Sequence, residues 1–328
     1  MDRRSVIGLG ALGMAGISLG GGAEVAPAPS PQTIALWPSV PPGGEGIAFT
    51  SPAFDPAAPA AGSSRELTDI AKPMLIVFRP RAPDGSAMLI APGGGYLFED
   101  YDIEGVEPAL RLNEAGITAF ILLYRLPGEG WRNRADVPLQ DAQRAMRLIR
   151  AQGVRDYGID PARVGVLGFS AGGHLAASLA TRFDAAVYTP FDGIDAYDAR
   201  PSFTALLYPV ITMLPPFAHE ASCEQLLGKD ASPALRAAYS PERAVSAQTP
   251  PCFLVAAADD SDVPVDNTLA MFAGLRDAKV PAEMHIFERG GHGFALRGGA
   301  DLPASSWPDL LLRWGISRGY FRNPASNP

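Results

Sequence analysis

Short unbroken apolar runs recur along the chain, separated by stretches with helical spacing. Met74–Phe78 and Ala87–Ala91 are clear examples, and Ile117–Leu126 is a longer one. Successive side chains on a strand point to opposite faces. A run without polar interruptions therefore predicts a strand covered on both sides, as in a parallel sheet. Arg163–Phe169, Phe203–Ile211, Cys252–Ala258 and Glu283–Phe287 read the same way, with Thr33–Trp37 as a short first strand. Helices are predicted over Gly105–Ala115, Pro138–Gln152, Asp266–Ala278 and Ser306–Arg318, with an alanine-rich helix from Leu175 to Ala180. Leu139, Ala142, Met146 and Ile149 make one apolar face of the second, and Gly116 stops the first. Strands alternating with helices predict right-handed βαβ crossovers and a single α/β domain with a mostly parallel central sheet and helices on both faces. No internal repeat is visible. Two stretches break the alternation. Phe183–Pro201 is a loop bearing aromatics and aspartates, and Thr212–Gln248 is a short irregular insertion with a helical turn near Cys223–Leu227, too short for a large lid.

Composition adds limits. A chain of 328 residues that is 47% hydrophobic has ample material for a core, although Gly and Pro make up about a fifth of it and imply many loops. A net charge of −8 and a pI near 5.1 argue against nucleic acid or an anionic membrane as the main partner. Residues 1–28 read as an export signal: Asp2-Arg3-Arg4 opens it, and Val6–Leu19 is a mildly apolar run. Small-residue cleavage sites follow at Gly21-Gly22-Ala23 or Ala26-Pro27-Ala28. Adjacent arginines suggest a twin-arginine signal, while the missing later lysine leaves the general secretory route open. The expectation is a periplasmic or secreted protein whose domain occupies residues 29–328. No cysteine lies at the cleavage region, and nothing else approaches a transmembrane span. Cys223 and Cys252 are open to two readings, a bridge in an oxidising compartment or buried free thiols.

Gly168-Phe169-Ser170-Ala171-Gly172 follows a predicted strand and opens a predicted helix. This is the G-x-S-x-G turn, in which a serine projects from strained backbone and side chains two residues either side would collide. The pattern also occurs at Gly16-Ile17-Ser18-Leu19-Gly20, without strand or helix, so context and not the motif makes Ser170 the candidate nucleophile. His292, among Gly290, Gly291 and Gly293 after the last strand, is the candidate base, since imidazole accepts a proton near neutral pH. Of the other histidines, His174 packs in the helix after the turn, His219 falls in the insertion and His285 in a strand. Asp259, Asp260 and Asp262 follow the Cys252–Ala258 strand, and one of them can orient the imidazole. Pro92-Gly93-Gly94-Gly95-Tyr96 ends another strand, where the amide of Gly94 or Gly95, together with that of Ala171, can hold an oxyanion. The Gly run lacks the Lys-Ser/Thr pair of a phosphate loop, and no metal site is visible. The stretches Tyr96–Asp102, Gly128–Arg134 and Phe183–Phe217 are candidates for lining the pocket, with Tyr96 as the substrate-binding residue.

The order serine, acid, histidine at successive strand ends is that of the α/β-hydrolase fold. The chain resembles bacterial α/β-hydrolase esterases of the acetylxylan/feruloyl esterase type, often labelled xylanase- or dienelactone-hydrolase-like. Ala91-Pro-Gly-Gly-Gly-Tyr96, Leu123-Tyr-Arg-Leu-Pro127, Pro138-Leu-Gln-Asp-Ala142, Val166-Leu-Gly-Phe-Ser-Ala-Gly-Gly-His-Leu175 and Gly290-Gly-His-Gly-Phe294 carry the resemblance. In related folds the acid stands three residues before a Val-Pro pair, and Val263-Pro264 makes that Asp260. The resemblance implies no metal and no organic cofactor. It also implies removal of acyl groups, acetyl before feruloyl, from esterified plant oligosaccharides or polysaccharides. Two other readings stay open: a serine peptidase of the prolyl-oligopeptidase kind, and a non-catalytic carbohydrate-binding protein on a hydrolase scaffold. A glycosidase needs two carboxylates facing across a sugar, whereas the acids placed here serve the serine site.

Overall fold

A computed structural model describes residues 31–47, 54–56, 64–297 and 301–322. The export-signal expectation for residues 1–28 falls outside them. The strands are β1 (Gln32–Ala35), β2 (Glu66–Leu67), β3 (Met74–Phe78), β4 (Ala87–Ala91), β5 (Glu99–Asp100), β6 (Thr118–Leu123), β7 (Val164–Phe169), β8 (Thr204–Leu207), β9 (Cys252–Ala257) and β10 (Ala282–Phe287). Eight of them form one sheet in the order β1-β3-β6-β4-β7-β8-β9-β10. From β6 to β10 every pairing is parallel, while β1 runs antiparallel to β3 and β3 to β6. Every residue of β4, β6, β7, β8 and β9 is buried, so both faces of the central sheet are covered. That burial is why these strands read as unbroken apolar runs and not as alternating ones.

The helices are α1 (Glu107–Glu114), α2 (Val137–Tyr157), α3 (Ser170–Thr181), α4 (Glu220–Leu227), α5 (Pro233–Ala238), α6 (Asp266–Asp277) and α7 (Trp307–Ser317). Helix α3 lies against β7 and β8, and α1 against β3 and β6. A buried ion pair joins the end of β6 to α2. Arg125 Nη2 lies 2.8 Å from Asp141 Oδ1 with both side chains fully buried, and the same carboxylate accepts from Trp37 Nε1 at 2.7 Å. The Leu123–Pro127 and Pro138–Ala142 stretches thus meet in one polar knot.

Several details differ from the sequence expectation. The strand predicted over Phe203–Ile211 stops at Leu207, because Tyr208 has φ of 35° and Pro209 has no N–H to continue the ladder. The helix expected from Gly105 begins as a π-helical turn at Asp102–Val106 before α1. The insertion holds α4 and α5, more helix than a single turn. Strands β2 and β5 pair as a separate two-stranded sheet. Cys223 and Cys252 are buried free thiols.

Candidate active site

Strand β7 leads directly into α3 through Ser170, whose φ of 49° is the strained conformation a sharp strand-to-helix turn imposes. A Cβ on Gly172 would stand 2.1 Å from the Ala91 carbonyl oxygen, and one on Gly168 2.2 Å from that of Gly172. No side chain fits either position, which is the collision the motif anticipates. Ser170 Oγ faces His292 Nε2 at 2.8 Å, and His292 Nδ1 lies 2.8 Å from Asp260 Oδ2. With the proton on Nδ1, the ring donates to Asp260 and accepts from the serine hydroxyl, so one tautomer satisfies both bonds.

The three aspartates after β9 have separate partners. Asp260 is the one on the imidazole; its side chain is 1% exposed, and its Oδ1 accepts from the amides of Asp262 and Val263. Asp259 accepts from Gly290 and Gly291 at 2.8 Å each, which ties down the loop that carries His292. Asp262 is exposed. Burial pulls the His292 pKa down, but the hydrogen bond and charge of Asp260, with Glu104 and Asp262 behind it, outweigh burial and raise it above the usual histidine value.

A cavity of about 430 Å³ opens over Ser170 and His292. Gly94 and Gly95 line it, both with positive φ, and Ala171 sits in the first turn of α3, where helix amides have no intrahelical acceptor. The turn holding these glycines is bent tightly: a Cβ on Gly94 would meet the Phe98 carbonyl oxygen at 2.2 Å. Leu97 and Phe98 supply apolar lining, and His219, Glu224, Gln225 and Asp262 polar lining.

Tyr96 does not line this cavity. Its φ of 62° turns the ring inward, where it is 1% exposed and its hydroxyl meets His174 Nδ1 at 2.8 Å. The Tyr96–Asp102 stretch does contribute, through Leu97, Phe98 and Asp100, whereas Gly128–Arg134 and Phe183–Phe217 do not reach the lining and the α4 region does. His174 is a packing residue held between Tyr96 and the Tyr239 carbonyl, and burial pulls its pKa down to about 4.

Sequence reasoning passed over Glu104 and took in Tyr208 only as part of the Phe183–Phe217 stretch, without a role of its own. Glu104 lines the cavity, accepts from the Gly93 amide at 2.6 Å and from the Tyr208 hydroxyl at 2.9 Å, and is pushed up to about 7, chiefly by burial. Tyr208 follows β8, and its ring stands edge-on to His292 with centroids 5.0 Å apart. The rule that sites gather at carboxyl ends of parallel strands applies to β8 as much as to β7, so a signal for Tyr208 was present.

A sheet of this order, with a serine elbow and a histidine–aspartate pair at its carboxyl ends, is the arrangement of the α/β-hydrolase fold. The family model described as alpha/beta hydrolase fold matches residues 88–296, and the chain belongs to that family. An acetylxylan esterase from Xylanibacter ruminicola is 35% identical over 232 residues, which cover 70% of this chain and 45% of that protein. The chain therefore spans less than half the length of that relative. The structure of an acetyl ester-xyloside bifunctional hydrolase from Caldicellulosiruptor lactoaceticus superposes with a TM-score of 0.72 at 36% identity, covering 90% of this chain and 99% of the other. A carboxylesterase from Lactobacillus plantarum gives a TM-score of 0.65 at 26% identity, covering 80% and 98%.

Proposed function

We propose that the protein is a serine carboxylic ester hydrolase that removes acetyl groups from plant oligosaccharides or polysaccharides. The observation that carries this reading is the continuous hydrogen-bonded line Ser170–His292–Asp260 beneath an open cavity. Ser170 Oγ attacks the ester carbonyl carbon while its proton passes to His292 Nε2. The carbonyl electrons move onto oxygen, where the amides of Ala171 and of Gly94 or Gly95 receive the charge. Collapse of this intermediate breaks the bond to the sugar oxygen, which leaves with the proton from His292. Water then attacks the acyl-serine with His292 again as base, releasing acetate and restoring Ser170. Asp260 holds the tautomer and stabilises the imidazolium.

The substrate reading draws on the acetylxylan esterase and acetyl ester-xyloside hydrolase relatives, and His219, Glu224, Gln225 and Asp262 in the cavity lining offer polar groups to a hydroxyl-rich leaving group. The N-terminal Arg3-Arg4 segment supports export to the periplasm or beyond. Acetate release from acetylated xylo-oligosaccharides, compared with ferulate release from feruloylated ones and cleavage of chromogenic peptides, tests the assignment. Acetate is the expected product; hydrolysis of the peptides alone would overturn it.

The pH profile follows from the imidazole. Only neutral His292 can accept the serine proton, so kcat/KM falls as pH drops through a pKa above the usual histidine value near ~6.5. Asp260→Asn removes the largest upward influence on that pKa and the group that fixes the tautomer. The acidic limb is expected to move to lower pH while kcat drops by about 10⁴-fold. An unchanged limb and rate would assign the orienting role to another acid.

A further inference from the structure

Glu104 is a buried carboxylate beside the nucleophile with no place in the three-residue mechanism. A Cβ built on Gly93 would lie 2.5 Å from Glu104 Oε2, 2.8 Å from the Phe169 carbonyl oxygen and 2.8 Å from Ser170 Cβ. The carboxylate, the glycine turn and the elbow therefore close around a single point. Glu104 Oε2 takes the Gly93 N–H, and Oε1 takes the hydroxyl of Tyr208, whose ring abuts His292. The residue sits in the π-helical turn, where Val106 N donates to the Tyr101 carbonyl at 2.9 Å. Such turns are rare and concentrate at functional sites. An Arg65–Asp102 ion pair at 2.6 Å anchors the start of this turn.

We infer that Glu104 is a positioning residue for the ester hydrolysis proposed above, on which this role rests. Its carboxylate fixes the Gly93–Gly95 turn against the elbow and, through Tyr208, sets the place of the His292 ring. Its charge also bears on His292. That ring is faced by Ser170, Asp260, Asp262, Glu104, Tyr208 and, more distantly, His219, and the first carboxylate in its field after Asp260 is Glu104. Glu104 in turn faces Asp100, Tyr208 and His292.

Glu104→Gln keeps the shape and an acceptor for the Gly93 amide but removes the charge. With an activated acetate ester, kcat is expected to fall roughly 10- to 100-fold at nearly unchanged KM, as for a slightly displaced constellation. The acidic limb of kcat/KM is expected to move to lower pH by a fraction of a unit, because Glu104, with a pKa of about 7, is partly ionised along that limb and that share of charge favours protonated His292. A purely structural role would lower Tm and leave the limb where it is. That outcome, or a wild-type kcat with an unmoved limb, overturns the inference. If Glu104→Gln does not yield folded protein, Tyr208→Phe carries the test. It keeps the ring and removes only the hydroxyl on Glu104, and a wild-type kcat there overturns the inference, whereas a several-fold loss at constant KM supports it. Wild type and Ser170→Ala run alongside: no esterase activity in the first, or full activity in the second, means that the esterase reading has failed and the role of Glu104 falls with it.

Discussion

Replacing Ser170 with alanine is expected to lower kcat on an activated acetate ester by roughly 10⁴- to 10⁶-fold, the loss seen when a serine nucleophile is deleted. Only Oγ is removed, and alanine meets the same backbone strain at φ of 49° that serine does. His292 loses its 2.8 Å contact, but its side chain is 20% exposed, so water can take the vacated bond. Tm and circular dichroism should therefore stay close to wild type while the rate collapses. The remainder would reflect the oxyanion amides and binding alone. A variant within tenfold of wild type would remove Ser170 from the mechanism.

The second large effect concerns stability and lies away from the chemistry. Asp141 is fully buried and accepts from Arg125 through the backbone amide, Nε and Nη2, and from Trp37 Nε1. The Arg125 guanidinium lies over the Trp131 ring at 4.8 Å and gives another bond to the Pro42 carbonyl. Asp141→Ala leaves that guanidinium buried without its counter-charge. Breaking a buried pair from one side costs about 3–5 kcal/mol, although the pair itself need not be worth that against an apolar replacement. The expected result is a lower urea midpoint with an unchanged slope. A shift equivalent to less than about 1 kcal/mol would mean that the pair is not uncompensated in the variant. The double change Arg125→Met with Asp141→Leu should recover part of the loss, because no charge is then left buried.

The central sheet was legible because burial on both faces forces unbroken apolar runs: Ala87–Ala91 ends where its run ends, and Cys252–Ala257 one residue short of it. Strand direction was not legible there: Met74–Phe78 looks like any other core strand, yet it runs antiparallel to its neighbour. The elbow was readable since its glycines answer to local geometry, two residues either side of Ser170. Tyr96 was misjudged because its direction depends on a positive φ that no polar–apolar pattern encodes. Glu104 was missed for a different reason. One partner is 11 residues away and the other 104, so nothing near it in the chain marks it as part of the site. His219, Glu224 and Gln225 reach the cavity only because the insertion folds α4 back over the sheet end.

Covalent capture tests the nucleophile most directly. Incubation with a fluorophosphonate, followed by intact mass and peptide mapping, should yield one adduct per chain on the peptide containing Ser170, with loss of esterase activity in proportion to labelling. Ser170→Ala should take up none. Failure of wild-type protein to label, or an adduct on another residue with activity lost in step, would contradict a Ser170 acyl-enzyme.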